Sequence, residues 1–167
     1  MHAVIFSHEV AHHVVEGLEL EHGELFARKD LVHLGALGAG HTVKLLNNFL
    51  GMTTANCVAE IFAAADLAGV DRQQVYNVIS AGPLHSMMMD FVSDYALKGR
   101  PDTLEFSIRN GAKDMGYYAQ MLADAGTGSS IAGCPVAAMK EAIENGHGDA
   151  MVPIMLDHYL SKFDPGS

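Results

Sequence analysis

Between His41 and Leu67 the sequence runs without a proline and with a single glycine, Gly51. One glycine inside a helix costs about 1 kcal/mol relative to alanine, which a long helix absorbs. The stretch therefore predicts one helix of about 25 residues, roughly 38 Å at 1.5 Å per residue. An element of that length serves as a spine for shorter ones. A glycine-rich turn, Gly35-Ala36-Leu37-Gly38-Ala39-Gly40, leads directly into it.

Further helices follow. Ala68-Gly69 reads as a C-cap and Asp71 as the next N-cap. From Asp71 a short helix carries Val75, Val78 and Ile79 and ends near Ser80-Ala81-Gly82-Pro83. His85 to Ala96 reads as a Met-rich helix, with Met87-Met88-Met89 expected to fill core. Phe106 to Gly126 places Met115, Tyr118, Met121 and Leu122 at a 3.6-type period. Pro135 suits an early helical position before Val136 to Glu144. After a turn at Asn145-Gly146-His147-Gly148, a last helix runs from Val152 to Phe163. Leu31 to Leu34 is the one plausible short strand, and neither a repeat nor a βαβ alternation is present. The fold class is all-α, with one long central helix and no dinucleotide-binding sheet domain. Residues 1–30 form a separate segment rich in His and Glu, and residues 31–167 form the helical domain. In the first segment Val4, Ile5, Val10, Ala11, Val14, Val15 and Leu18 suit one amphipathic helix, and Leu20 to Ala27 a second short segment.

Ten Lys+Arg against twenty Asp+Glu give a net charge of −10. That argues against nucleic acid and against an anionic membrane surface as partners. No apolar run reaches the roughly 18 residues of a membrane span, and Met1 to Phe6 lacks a secretory n-region. The expectation is a cytoplasmic protein with Cys57 and Cys134 as two buried thiols in a reducing compartment.

Two patterns carry chemistry. Lys44 and Asn48 stand four apart, which stacks them on one helix face. A cationic proton donor then lies beside an amide that both donates and accepts, a combination suited to a small oxygen-rich substrate. The bland alternative is a solvated helix face. Separately, His8-Glu9-Val10-Ala11-His12 matches HExxH, in which two histidines one turn apart bind zinc and the glutamate acts as base. The pattern is short, no third ligand stands at a diagnostic spacing, and the expectation is no metal. A zinc hydrolase is the weaker rival it leaves open.

The block Gly38-x-Gly40-x-x-x-Lys44-x-x-x-Asn48 resembles the catalytic signature of the β-hydroxyacid dehydrogenases, the family of 3-hydroxyisobutyrate dehydrogenase and tartronate semialdehyde reductase. Phe106 followed at seven residues by Lys113-Asp114-Met115 resembles a second family element. The likeness extends through Pro135 to the tail Asn145-Gly146-His147-Gly148-Asp149-Ala150, so residues from about Leu31 to Phe163 resemble the family's C-terminal helical domain, of the 6-phosphogluconate-dehydrogenase-like type. The resemblance implies an oxidoreductase that interconverts a 3-hydroxy acid and its semialdehyde with NAD or NADP. It implies Lys44 as the general acid/base at the substrate oxygen, and Asn48 as a substrate holder. Lys113 would line the cofactor and substrate cleft, while Gly38 and Gly40 would let backbone approach substrate closely. A homodimer is implied as well.

The family's NAD(P) site lies on an N-terminal Rossmann domain, and some thirty residues cannot contain one. The chain therefore reads as half an enzyme: a truncated dehydrogenase domain that binds no cofactor alone and works with a Rossmann-domain partner supplied in trans. A second reading is a stand-alone module that binds a small hydroxy acid or assists assembly without redox chemistry.

Overall fold

A computed structural model gives the structure of the chain and describes Ile5–Phe6, Val32–His33 and residues 38–163. It divides into two compact units, Met1–Asn47 and Asn48–Ser167.

In the first unit, β1 (Ile5–Phe6) pairs in parallel with β2 (Val32–His33), with Ile5 opposite Val32 and Phe6 opposite His33. The strand expected over Leu31 to Leu34 is thus found. The amphipathic helix expected to include Ile5 is corrected at that residue, which is extended. Ile and Phe favour a pleated pair. The remainder of that expected helix, the Leu20 to Ala27 segment and the His8–His12 run lie outside the described residues.

The spine is helix α1, Ala39–Leu67, unbroken through Gly51; its residues 39–47 belong to the first unit. Gly51 has a packing reason, since a Cβ there would meet Met88 Cε at 3.2 Å. The helix stops where the glycine signal says it should. Gly69 adopts φ +69°, its N–H donates to Asp66 O, and Val70 N donates to Ala65 O at 2.8 Å. Those two bonds satisfy carbonyls that a helix end otherwise orphans. Asp71 then caps α2 (Arg72–Ser80) by accepting from Gln74 N at 3.0 Å. Ser86 caps α3 (Met87–Lys98), and Ser107 caps α4 (Ile108–Asp124). Helix α5 (Gly133–Ala142) ends in a wide turn, Ile143–His147, broken by Gly146 at φ +90°. A 3₁₀ turn, Val152–Ile154, precedes α6 (Met155–Phe163).

The core of the second unit gathers Met52, Phe62, Met89, Val92, Ile108, Met115, Met139, Met155 and Leu156. Methionine fills the irregular gaps between helices that cross at different angles. Of the methionine triplet only Met89 is fully buried; Met88 rests against Gly51, and Met87 is 71% exposed. Consecutive helical residues point about 100° apart, so three in a row cannot share one core face. The two thiols are also corrected: Cys57 and Cys134 are both free and exposed. Cys57 falls on the outer side of α1, whose inward positions are taken by Ala55, Asn56, Val58 and Ala59. Among the described residues, no helix is long and apolar enough to cross a membrane.

Candidate active site

In the first unit, Gly38 stands just before α1 at φ +93°. Its carbonyl accepts from Thr42 N at 3.1 Å and from Thr42 Oγ1 at 3.4 Å. A Cβ at Gly38 would touch nothing within 4 Å, so glycine is required there by backbone conformation. Gly40 is buried in the first turn, and Lys44 lies exposed farther along.

In the second unit, α1 crosses α4 through three contacts. Asn48 Nδ2 donates to Asp114 Oδ2 at 2.7 Å. The rings of Phe49 and Tyr118 stack with centroids 4.1 Å apart and planes 13° from parallel. Gly111 lets the helices close, because a Cβ there would meet Met52 Sδ at 3.1 Å and Met139 Sδ at 3.2 Å. Moving from Phe49 to Met52 along α1 moves from Tyr118 back to Gly111 along α4, an antiparallel crossing.

Asp114 retains only 7% of its surface. An ionised carboxylate accepts and cannot donate, so the Asn48 amide must present its NH₂ to it. The amide oxygen of Asn48 is thereby turned elsewhere, toward any donor that enters. A charge-assisted bond of this length is stronger than a neutral one, and it fixes a side chain that would otherwise rotate.

Lys113 sits next to Asp114 in sequence, about 100° around α4. It is exposed, and its nearest polar contact is Asn110 Oδ1 at 3.5 Å, a long and weak bond. The predicted residues thus fall into two groups. Gly38, Gly40 and Lys44 belong to the unit that ends at Asn47, while Asn48 and Lys113 belong to the unit that follows. The structure gives a partner to Asp114, which the sequence showed only as part of the Lys113-Asp114-Met115 element. A signal for it exists: Gly111, Asp114 and Tyr118 fall at i, i+3 and i+7, the spacing of a buried stripe.

The tail motif supports α4 from below. Ile108 N donates to Ala150 O, Arg109 N to Gly148 O and Val152 N to Phe106 O, each at 2.9 Å. Arg109 Nε also bonds Asp149 Oδ1 at 3.0 Å. The Asn145–Ala150 run therefore positions the start of the helix that carries Lys113 and Asp114. Among the described residues, no group of three or more His, Cys, Asp or Glu is placed to hold a metal ion.

The structure is similar to that of 3-hydroxyisobutyrate dehydrogenase from Salmonella typhimurium, at a TM-score of 0.69 and 21% identity, over 76% of this chain and 45% of that one. It is also similar to the Mycobacterium tuberculosis 3-hydroxyisobutyrate dehydrogenase solved with L-serine, at a TM-score of 0.66 and 19% identity, over 90% of this chain and 51% of that one. At those identities the likeness establishes the fold, and the chain spans about half the length of each enzyme. No curated protein sequence matches it. The family model described as the NAD-binding of NADP-dependent 3-hydroxyisobutyrate dehydrogenase matches residues 38–159. With that match over most of its length, the chain belongs to the β-hydroxyacid dehydrogenase family, of which it carries the helical domain.

Proposed function

We propose that this chain supplies the substrate-holding half of an NAD(P)-dependent 3-hydroxy acid dehydrogenase and acts with a nucleotide-binding domain provided by another chain or another part of the protein. The observation that carries the reading is the Asn48–Asp114 bond of 2.7 Å. It is a preset amide within the residues matched to the family, and it leaves a carbonyl oxygen to receive a substrate hydroxyl. A binding amide whose orientation is fixed beforehand loses less entropy when ligand arrives.

In the oxidation direction the substrate's primary hydroxyl loses its proton to the amine form of Lys44, and the carbon bearing that hydroxyl loses hydride to become the aldehyde carbon. A bound nicotinamide would supply the hydride acceptor. Lys44 is the catalytic residue at the substrate oxygen, and Asn48 holds the substrate. Asp114 is a positioning residue that acts through Asn48. Lys113 offers an exposed cation to an anionic group of cofactor or substrate. Under this reading three groups serve the substrate end: the Lys44 amino group, the Asn48 amide oriented by Asp114, and the Lys113 ammonium.

Isothermal titration of the chain with NADP and with NAD, before and after adding the separately expressed nucleotide-binding domain of the Salmonella typhimurium enzyme, tests the division of labour. We expect heat of binding only with both present, together with oxidation of NADPH or NADH by a 3-hydroxy acid semialdehyde. That oxidation should vanish in Lys44→Ala. If the mixture stays inactive while hydroxy acids alone raise the melting temperature of the chain, the binding-module reading replaces this one.

We also propose that the chain pairs with a second copy. Helix α1 is apolar around most of its circumference, and such a helix belongs inside a fold or an interface. Yet Leu50 and Leu67 are 65% and 68% exposed, and Ile61 is exposed as well. Sedimentation at micromolar concentration should find a dimer, and a monomer there would remove the proposal.

A further inference from the structure

His158 lies on α6 with 5% of its surface exposed, and its Nε2 has no hydrogen-bond partner among the described residues. The nearest acid is Glu141 on α5, whose Oε2 is 3.7 Å away, beyond hydrogen-bond reach. That same oxygen accepts from Lys162 Nζ at 2.6 Å. An imidazole, a carboxylate and an ammonium thus share one seam, and the carboxylate is committed to the ammonium.

Other titratable groups lie on the same and neighbouring elements. The turn after α5 contributes His147, and α6 itself contributes Lys162; both oppose a charge on His158. Asp157 of α6 is engaged by Tyr95 Oη of α3 at 2.6 Å. Glu60 of α1 acts on Tyr159, whose ring meets the imidazole edge-on at 5.5 Å. Among the described residues, only Glu141 favours the imidazolium. Burial outweighs it and pushes the His158 pKa below the ordinary 6.5.

A neutral imidazole tolerates this seam because its buried ring packs against Tyr159. An imidazolium does not, since a buried charge needs a partner within hydrogen-bond distance. The carboxylate can provide that only by moving about 1 Å toward Nε2 and loosening its hold on Lys162. Nε2 is fully buried while the carboxylate is half-exposed, so the two meet only where the packing around the imidazole opens.

We propose that the α5–α6 seam is an acid-sensitive clasp: it is closed while His158 is neutral, and it loosens when His158 takes a proton and Glu141 passes from Lys162 to the imidazolium. The clasp is independent of the dehydrogenase reading, because none of its three residues belongs to the proposed site.

Hydrogen exchange followed by mass spectrometry on the full chain at pH 7.5 and pH 5.5, corrected for the chemical rate, reads the clasp directly. Amides of α6 should exchange several-fold faster at the lower pH, while those of α1 near Met52 and Phe62 stay protected. In His158→Gln the α6 rates should no longer depend on pH. Equal acid acceleration in that variant, or none in the wild type, overturns the proposal. Lys162→Gln separates a clasp from a merely buried histidine. With the competing ammonium gone, Glu141 is released to His158, and the pH midpoint of the α6 acceleration should move upward; an unmoved midpoint overturns the hand-over. Should His158→Gln fail to fold, the wild-type imidazole titration by NMR decides, and a pKa at or above 6.5 sinks the clasp.

Discussion

Asp114 and Lys113 are neighbours in sequence with opposite fates. Asp114 is buried against Asn48, and Lys113 stands in solvent with one weak contact. Their substitutions should separate accordingly. Asp114→Ala leaves a half-buried amide without its acceptor, which costs about 1–3 kcal/mol, read as a lowered urea midpoint at unchanged m-value. In the complemented enzyme it should also reduce kcat/KM about tenfold or more, because Asn48 is then free to rotate. Asp114→Asn keeps an acceptor oxygen opposite the amide, so it should recover most of the stability. Lys113→Ala should change stability by less than about 0.5 kcal/mol, as exposed positions do. Any rise in KM for NADP in that variant therefore reports binding rather than folding. Equal stability losses in Asp114→Ala and Lys113→Ala would remove the distinction. The sequence made Lys44 and Asn48 stand out because a separation of four within one helical run is read directly from the residues. It hid the partnership of Asn48 with Asp114, since 66 residues separate them and only the crossing of α1 and α4 joins them.

Helix limits followed local signals, and local signals are what a sequence displays. Gly69, Asp71, Ser86 and Ser107 each end or start a helix through a bond within a few residues. Two of the misread places, Ile5 and Cys57, lack such signals. A two-residue strand such as β1 has no period to recognise, and the exposure of Cys57 depends on which side of α1 the other helices cover. The tail motif allows a sharper test at this scale. Gly146 has φ +90° and Gly148 an ordinary helical φ of −58°, although both stand in one turn. Gly146→Ala forces a Cβ into the left-handed region and should cost about 1–2 kcal/mol. Gly148→Ala places a Cβ against the Arg109 guanidinium, at 2.9 Å from its Cζ. That group is the exposed end of a flexible chain, and its pairing with Asp149 is worth about 0–1 kcal/mol. Gly148→Ala should therefore cost less than Gly146→Ala in thermal melts, and the reverse order would mean that the Arg109 contact, rather than the backbone, fixes this turn.

Across the whole molecule, acid should act in two steps. The His158 pKa is held below 6.5, chiefly by burial. The unfolded chain therefore binds the proton more readily, and the stability from this group is complete above about pH 6.5 and declines as pH falls below that value. Asp94 and Glu141 have the opposite chemistry and the same consequence. Lys98 and then Arg100 hold the Asp94 carboxyl below its ordinary 3.8, while Lys162 holds Glu141 below 4.5. Their contributions persist above those values and are lost as pH falls through the folded ones. Between about pH 6.5 and pH 4.5 the histidine acts without these carboxylates, and below pH 4.5 they join it. The net charge of −10 opposes this trend, because acidification first relieves self-repulsion. Comparing variants removes that background, since His158→Gln leaves the count of acids unchanged. Melting temperatures followed by circular dichroism from pH 8 to pH 3 should fall in two stages in the wild type. His158→Gln should lose the upper stage and Asp94→Asn should weaken the lower one. A single transition, altered alike by both substitutions, would show that overall charge rather than these two local environments governs the acid response.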